Sequence, residues 1–528
     1  MAMRRYLLIP AMPTPNGRFH LGHLAGPYLK LDVLARHLRR GGAEASVMCG
    51  IDAYESHVLL AAEREWLSPE QVCHRNSAHM IGELRALSID VDVWCNPLEP
   101  AAAARFRRSH VAPIKEMAAR GALEQRAETV LYCEARRRYV VGCWLLGRCP
   151  LCDAEVGGYC CERCGYHFLP EEVVAPRDRQ PGGELVPRRV SCTHLRLPER
   201  ERLVATPGVP AALRGMIDSY LERRAGRFRQ TIPGSWGLRM PWPWSEDQVV
   251  FSYGAVGYAL YLGDAYAELH PTVGSPFEVG SNVTVVMSCG VDNVVPLCVG
   301  MQGALLAIGR RPIDGFLVNW FLDLEGQKFS TSRGHAIAPG AWLERTPMTA
   351  DELRYVLCRI HPGAGPSDLR IDEVARIVGE ELVPLGAAIE RLGGALRPGQ
   401  APAPPGGEIA RLVLAELSEQ AAALAPLGCE LARAAAQLRR LWAAPPPDGD
   451  PDRSYWWLKG VALLSAPILP ALGAALWRQL GGAGPVAEAA LWERTAPTER
   501  VRGAALPAVT AAALRSACPA LGGELPAT

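Results

Sequence analysis

Two histidines flank a glycine in HLGHLAGPYLK: His20 and His23 lie three positions apart where a helical pattern begins. The first turn of a helix carries unpaired N–H groups and a partial positive charge, which favours phosphate. Ring N–H groups of His20 and His23 can add donors to phosphate oxygens, and Gly22 removes a side chain that would block an approaching base. Helix capping alone would also account for the histidines, but it requires neither Gly22 nor a second anion-binding loop. Such a loop is present in LDLEGQKFSTSRGHAI, Leu322 to Ile337, where Lys328, Ser330, Thr331, Ser332 and Arg333 follow a glycine. Cationic and hydroxyl groups on a glycine-bounded loop suit a polyanion. A third grouping, CPLCDAEVGGYCCERCG, sets Cys149 and Cys152 in one C-x-x-C turn and Cys161 and Cys164 in another. Two such turns complete a closed tetrahedral zinc site, structural because no coordination position stays open, and Gly165 suits the turn after the last ligand. Cys160 is an adjacent spare.

These groups need elements to hold them. Arg5 to Met12 (RYLLIPAM) reads as a buried strand and Thr14 to Gly17 as the turn after it. Apolar residues then recur at helical spacing from Leu21 to Leu38, Gly41-Gly42 stops the helix, and Ala45 to Gly50 reads as a strand. Strand, turn, helix and parallel strand form the crossover unit of a doubly wound, Rossmann-like α/β sheet. Tyr132 to Pro170 has the texture of an inserted module, and strand-like runs return at Val283 to Ser288 and Phe316 to Leu324. From Asp372 the chain is alanine- and leucine-rich and helical, with Pro/Gly linkers at Arg397 to Gly407 and Ala443 to Pro451. The 528 residues exceed a single core. Their net charge of +1 gives no global attraction to nucleic acid, although a local basic surface remains compatible with it. Sixteen cysteines and an N-terminus too short in apolar residues for a signal peptide imply a reducing, cytoplasmic setting. Gly460 to Trp477 is charge-free, but Pro467 and Pro470 make it a buried bundle segment, so no membrane association is expected.

Together, HLGH and KFSTS (Lys328 to Ser332) resemble the HIGH and KMSKS signatures of class I aminoacyl-tRNA synthetases. AMPTPNGRFHLGHLAG and CGIDAYE are similar to segments of the methionyl-tRNA synthetases, and the cysteine knuckle falls in their connective insertion, so the chain looks like a divergent paralogue. The resemblance implies a first half of the catalytic domain at 1–112, a connective insertion with zinc knuckle at 113–235 and a second catalytic half at 236–312. It further implies a KMSKS-like loop and stem-contact region at 313–375 and a helical, anticodon-binding-like domain at 376–528. The implied activity is ATP- and Mg²⁺-dependent, AMP-forming activation of an amino acid, followed by acyl transfer to tRNA, with structural Zn²⁺. His20, His23 and Lys328 would be catalytic, and with Gly22, Asp292, Ser330, Thr331 and Ser332 would bind ATP. Met12, Thr14, Asp52, Phe251, Tyr258 and Leu297 would contact the amino acid, and Arg391 and Trp442 would contact tRNA.

Departures from the pattern are specific. Thr331 replaces the second lysine of the loop, a lost charge-assisted contact worth about 1.5–3 kcal/mol, for which Arg333 or Lys30 are candidate substitutes. Thr14, Phe251 and Leu297 replace a tyrosine, a tryptophan and a histidine of the amino-acid pocket, while Ala387 replaces an anticodon-reading asparagine. Three functions follow: a tRNA ligase, a tRNA-independent ligase that transfers the activated acyl group to a small amine, and an inactive paralogue that binds RNA or protein.

Overall fold

The computed structural model describes residues 3–204, 209, 211–239, 248–252, 256–330, 333–363, 365–503 and 509–518. Strand β1 (Arg5–Pro10) is apolar on both sides because both of its faces are covered. Tyr6 and Leu8 enter one core, shared with the C-terminal helices, while Leu7 and Ile9 enter a second, shared with the insertion. The helix after it is not the continuous one its periodicity predicts. A single turn (Leu21–His23) passes into a widened turn (Leu24–Tyr28) before α1 (Leu29–Arg40). Pro27 has no N–H to give the ladder, and Gly26 takes non-helical angles there. A Cβ on Gly26 would lie 2.8 Å from Nδ2 of Asn319, so glycine also permits the close approach of this bend to the sheet.

The chain continues through β2 (Glu44–Gly50), α2 (His57–Glu65), α3 (Pro69–Ala86), β3 (Val93–Cys95) and α4 (Pro100–Ala119). Helix α4 runs unbroken across position 112 and into the segment expected to form the insertion. Its framework is the antiparallel pair β4 (Leu123–Cys133) and β5 (Leu185–Arg196), with the cysteine knuckle between them. After α5 (Val256–Leu269) come β6 (Val283–Gly290) and β7 (Gly315–Asn319). Phe316 to Leu324 is thus two strands: β7 ends in the main sheet, and β8 (Leu322–Leu324) pairs with Ser367–Leu369 in another.

The main sheet has the order β7-β6-β1-β2-β3, all parallel. From β1 the chain winds outward to one side, and it returns through β6 on the other. The carboxyl ends of β1 and β6 therefore flank a topological switch point, where open α/β sheets form a ligand crevice.

The C-terminal region is helical. Arg354 on α6 (Ala350–Arg359) is fully buried and pairs with Asp32 of α1 at 2.6 Å, and it also donates to the carbonyls of Leu87, Ser88, Pro467 and Ile468. A buried guanidinium so completely satisfied ties the helices to the sheet layer. The charge-free run Gly460 to Trp477 divides between α7 (Pro451–Ser465) and α8 (Pro470–Gln479) at the turn that contains Pro467. Among the described residues, no helix is long and apolar enough to cross a membrane.

Candidate active site

A cavity of about 490 Å³ opens at the switch point. The loop after β1 contributes Met12, Thr14, His20, Gly22 and His23, and the segment after β2 contributes Asp52 and His57. Tyr258 projects from α5, Asp292 and Leu297 follow β6, and Lys328 and Phe329 follow β8. Groups far apart in the chain thus face one space.

The His20 ring stacks between His23 at 3.7 Å and Phe329 at 4.9 Å. Burial, His23 and the Lys328 charge push the His20 imidazole down to about 2, while desolvation and the Lys328 charge lower the pKa of His23, which keeps an exposed edge. Both are neutral near pH 7, so they can offer N–H donors but no charge. Nδ1 of His23 accepts the backbone N–H of His20 at 3.3 Å, which leaves Nε2 as the protonated nitrogen of the neutral ring. His20 Nδ1 is buried without a hydrogen-bond partner.

Capping is therefore partly real, since His23 closes the turn. The Leu21 N–H donates to the Ile337 carbonyl at 2.9 Å and the His23 N–H to the His20 carbonyl. With those amides engaged, the helix end has fewer free N–H groups to offer an anion. Gly22 has a nearer reason than room for a base: a Cβ there would sit 2.9 Å from Phe329 and 3.1 Å from the His20 ring.

Opposite the histidines, Lys328 is half-exposed and ion-paired with Glu162 of the cysteine knuckle. Ser330 does not line the cavity; its backbone pairs with His335 in a small bridge. Thr331 and Ser332 lie outside the described residues. Lys30 cannot replace the missing lysine. Its ammonium is buried beside the Val318 carbonyl at 3.5 Å, where desolvation disfavours its charge, and it does not line the cavity. Arg333 is exposed.

Another part of the cavity centres on Asp52. Its carboxylate accepts from the Tyr258 hydroxyl, and burial, with Glu55 nearby, pushes it up to about 7 against that bond. A buried carboxylate beside a neutral donor gains most from a cation, and an ammonium group supplies one. Met12, Leu262, Leu297 and Met301 form an apolar wall in the same cavity. Asp292 is partly buried just after β6, where desolvation raises its pKa.

Phe251 requires correction: it does not line this cavity. The hairpin of Thr231–Pro233 and Gln248–Val250, with the Phe251 N–H donated to the Gln230 carbonyl, turns its ring edge-on to Tyr159 at 4.9 Å. It lines the adjoining groove instead.

That groove, about 1170 Å³, escaped the sequence reading. Arg64, Arg136, Arg137, Arg138, Arg179, Arg188 and Arg239 line it, along with Trp66, Tyr132, Tyr139, Trp144, Tyr159 and Trp236. Arg138 lies 3.6 Å over Trp144 and Arg188 3.4 Å over Tyr132, although each also pairs with a carboxylate. Trp66 is 94% exposed, on a left-handed residue that ends α2. Ser252 borders both the groove and the cavity. The run Arg136-Arg137-Arg138 was the available signal; strand pairing alone could show what it faces.

In the knuckle, the sulfurs of Cys149, Cys152, Cys161 and Cys164 lie within 4.8 Å of one another. Cys149–Cys164 and Cys152–Cys161 are 3.7 and 3.6 Å apart, against about 3.8 Å for an edge of a tetrahedral zinc–thiolate site. The donor set fits zinc, and Cys160 stands outside it. Gly165 has φ +70° at the turn after the last sulfur. In the helical region Arg391 is exposed and paired with Asp448. Trp442 is corrected as well: it is 6% exposed and packs on Tyr355 at 5.0 Å, so it cannot stack on a base.

A doubly wound sheet with two imidazoles and a lysine across its switch point has its crevice where open α/β sheets bind their ligands. The chain belongs to the family described as tRNA synthetases class I (M), matched over residues 6–392. It is 28% identical over 409 residues to the methionine–tRNA ligase of Pyrococcus furiosus, covering 72% of this chain and 55% of that one. To the methionine–tRNA ligase of Chlamydia muridarum it is 27% identical over 406 residues, covering 72% and 70%. The chain thus spans about half the length of the Pyrococcus relative. In fold it is similar to the Mycobacterium tuberculosis methionyl-tRNA synthetase bound by methionyl-adenylate, with a TM-score of 0.70, 18% identity, and coverage of 96% and 99%.

Proposed function

We propose that the cavity activates an amino acid as its adenylate and that the acyl group then passes to tRNA. One observation carries the first half: His20, His23, Asp52, Asp292 and Lys328 converge on one cavity at the switch point. Asp52 and Tyr258 hold the ammonium group, and Met12, Leu262, Leu297 and Met301 select an apolar side chain. A substrate carboxylate oxygen attacks the α-phosphorus of ATP, and the bond to pyrophosphate breaks. His20 and His23 donate N–H groups to the phosphates, Lys328 meets the charge growing on the departing pyrophosphate, and Asp292 holds the ribose. Mg²⁺ enters with the triphosphate and screens its charge. In the second step a ribose hydroxyl takes the acyl carbon and AMP leaves.

The arginine- and aromatic-lined groove beside the cavity supports RNA over a small amine as acceptor. Cationic grooves with stacking platforms suit single-stranded nucleic acid, and bases stacked on aromatics contribute about 1–3 kcal/mol each. Trp66→Ala is accordingly expected to lower kcat/KM for tRNA charging at least five-fold more than it lowers pyrophosphate exchange; equal effects on both would remove the groove from the acceptor path. The deciding experiment is amino-acid-dependent ATP–pyrophosphate exchange over a panel of amino acids, methionine first, followed by ester formation on tRNA. Exchange with transfer to amines but never to tRNA selects the tRNA-independent ligase. No exchange with any amino acid selects the inactive paralogue.

The knuckle, in this reading, holds one structural zinc. Elemental analysis of the purified protein is expected to return one zinc per chain. Cys161→Ser should lower both the metal content and the melting temperature; a folded, metal-free wild-type protein would refute the site.

A further inference from the structure

Glu162 sits inside the second C-x-x-C turn, between Cys161 and Cys164, yet its carboxylate pairs with Lys328, 166 positions away. Both side chains line the active-site cavity. The knuckle that carries Glu162 is anchored separately, since His167 Nε2 lies 3.2 Å from the Asp292 backbone carbonyl. Glu162 therefore approaches Lys328 from a mount fixed to the end of β6, not from the lysine's own loop. The pair is 46% and 64% exposed, so it is easily exchanged for another anion. A carboxylate there competes directly with the polyphosphate that Lys328 is placed to meet.

We propose that Glu162 is a positioning residue that holds Lys328 against the knuckle in the nucleotide-free site and yields it to the polyphosphate on binding. This rests on the reading of the cavity as an ATP site. It places the knuckle in control of the lysine and gives ATP affinity a built-in competitor.

The chain makes the holding step measurable, because it has just four lysines: Lys30, Lys115, Lys328 and Lys459. Lys30 and Lys459 are 2% and 1% exposed, which leaves exposed Lys115 as an internal reference for Lys328. In nucleotide-free protein, Glu162→Gln is expected to raise acylation of Lys328 by an amine-reactive ester at least three-fold relative to Lys115, and Glu162→Asp to keep most of the protection. An unchanged ratio would overturn the proposal.

For the yielding step, Glu162→Gln is expected to tighten ATP at least three-fold by calorimetry in the otherwise wild-type chain and to have no effect in a Lys328→Ala background. Equal tightening in both backgrounds would mean simple charge repulsion and would overturn it, as would no tightening in either. Failure of the wild-type chain to bind ATP would instead count against the ATP-site reading, and lysine labelling would then decide the holding contact alone. Unchanged zinc content and melting temperature in Glu162→Gln serve as the folding control.

Discussion

Lys328→Ala is expected to lower the rate of amino-acid-dependent pyrophosphate exchange by about 10²–10³-fold, the usual loss when one preorganised donor to a developing anion is removed. The reason is positional. Both imidazoles across the cavity are neutral near pH 7, so they offer hydrogen bonds but no countercharge to the leaving pyrophosphate. The replacement of the second loop lysine by Thr331 leaves that demand on Lys328, and Lys30 is buried elsewhere. The loss should fall on kcat, with KM for the amino acid little changed, because Lys328 faces the phosphate side. A fall confined to KM for the amino acid would show that the lysine has been given the wrong role.

Asp52→Asn is expected to reduce kcat/KM for the amino acid by about 30-fold or more, since cutting one partner from a buried charge pair costs roughly 2–5 kcal/mol. Its pH behaviour provides a second test. Burial lifts the Asp52 carboxyl to about 7 in the free protein, and only the carboxylate can pair with an ammonium group. In the wild-type protein kcat/KM should therefore rise with pH through about 7 and then level, as expected for a free-enzyme ionisation. Asp52→Asn should abolish that rise.

Stability should move the opposite way. A carboxyl whose folded pKa is raised contributes stability that is full below the ordinary carboxylate range and is lost as pH rises through about 7. At pH 8 the ligand-free Asp52→Asn protein should consequently melt above the wild type while activating amino acid poorly. This trade is typical of a site strained for function. A lower melting temperature together with unchanged kcat/KM would contradict the assignment on both counts.

Much of this was legible in the residues because the signals are local. Helical spacing from Leu21, an apolar strand before it and β2 after it define the crossover within some 50 positions. Two C-x-x-C turns bring four sulfurs together because each turn is only a few residues long. The same locality explains the misses. The bend at Gly26-Pro27 arises where the chain must pass close to Asn319, a contact that no periodicity encodes. Phe251 follows a hairpin whose pairing turns its ring out of the cavity, and Trp442 is aromatic by type but core by position.

By itself, the sequence determined the α/β class, the order of the motifs, the cysteine set and the chemical kinds of group available for phosphate and ammonium. Those follow from spacing and residue type. Tertiary structure decided which of them meet: Lys328 across from His20, Phe329 stacked on that ring, Asp52 under Tyr258, and Glu162 reaching from the knuckle to the lysine. It also assembled the arginine groove from α2, the insertion and a hairpin. The physical reason is that a side chain's facing depends on strand register and on what covers each layer. Both are set by partners far away in the chain, and neither is written in the few residues on either side.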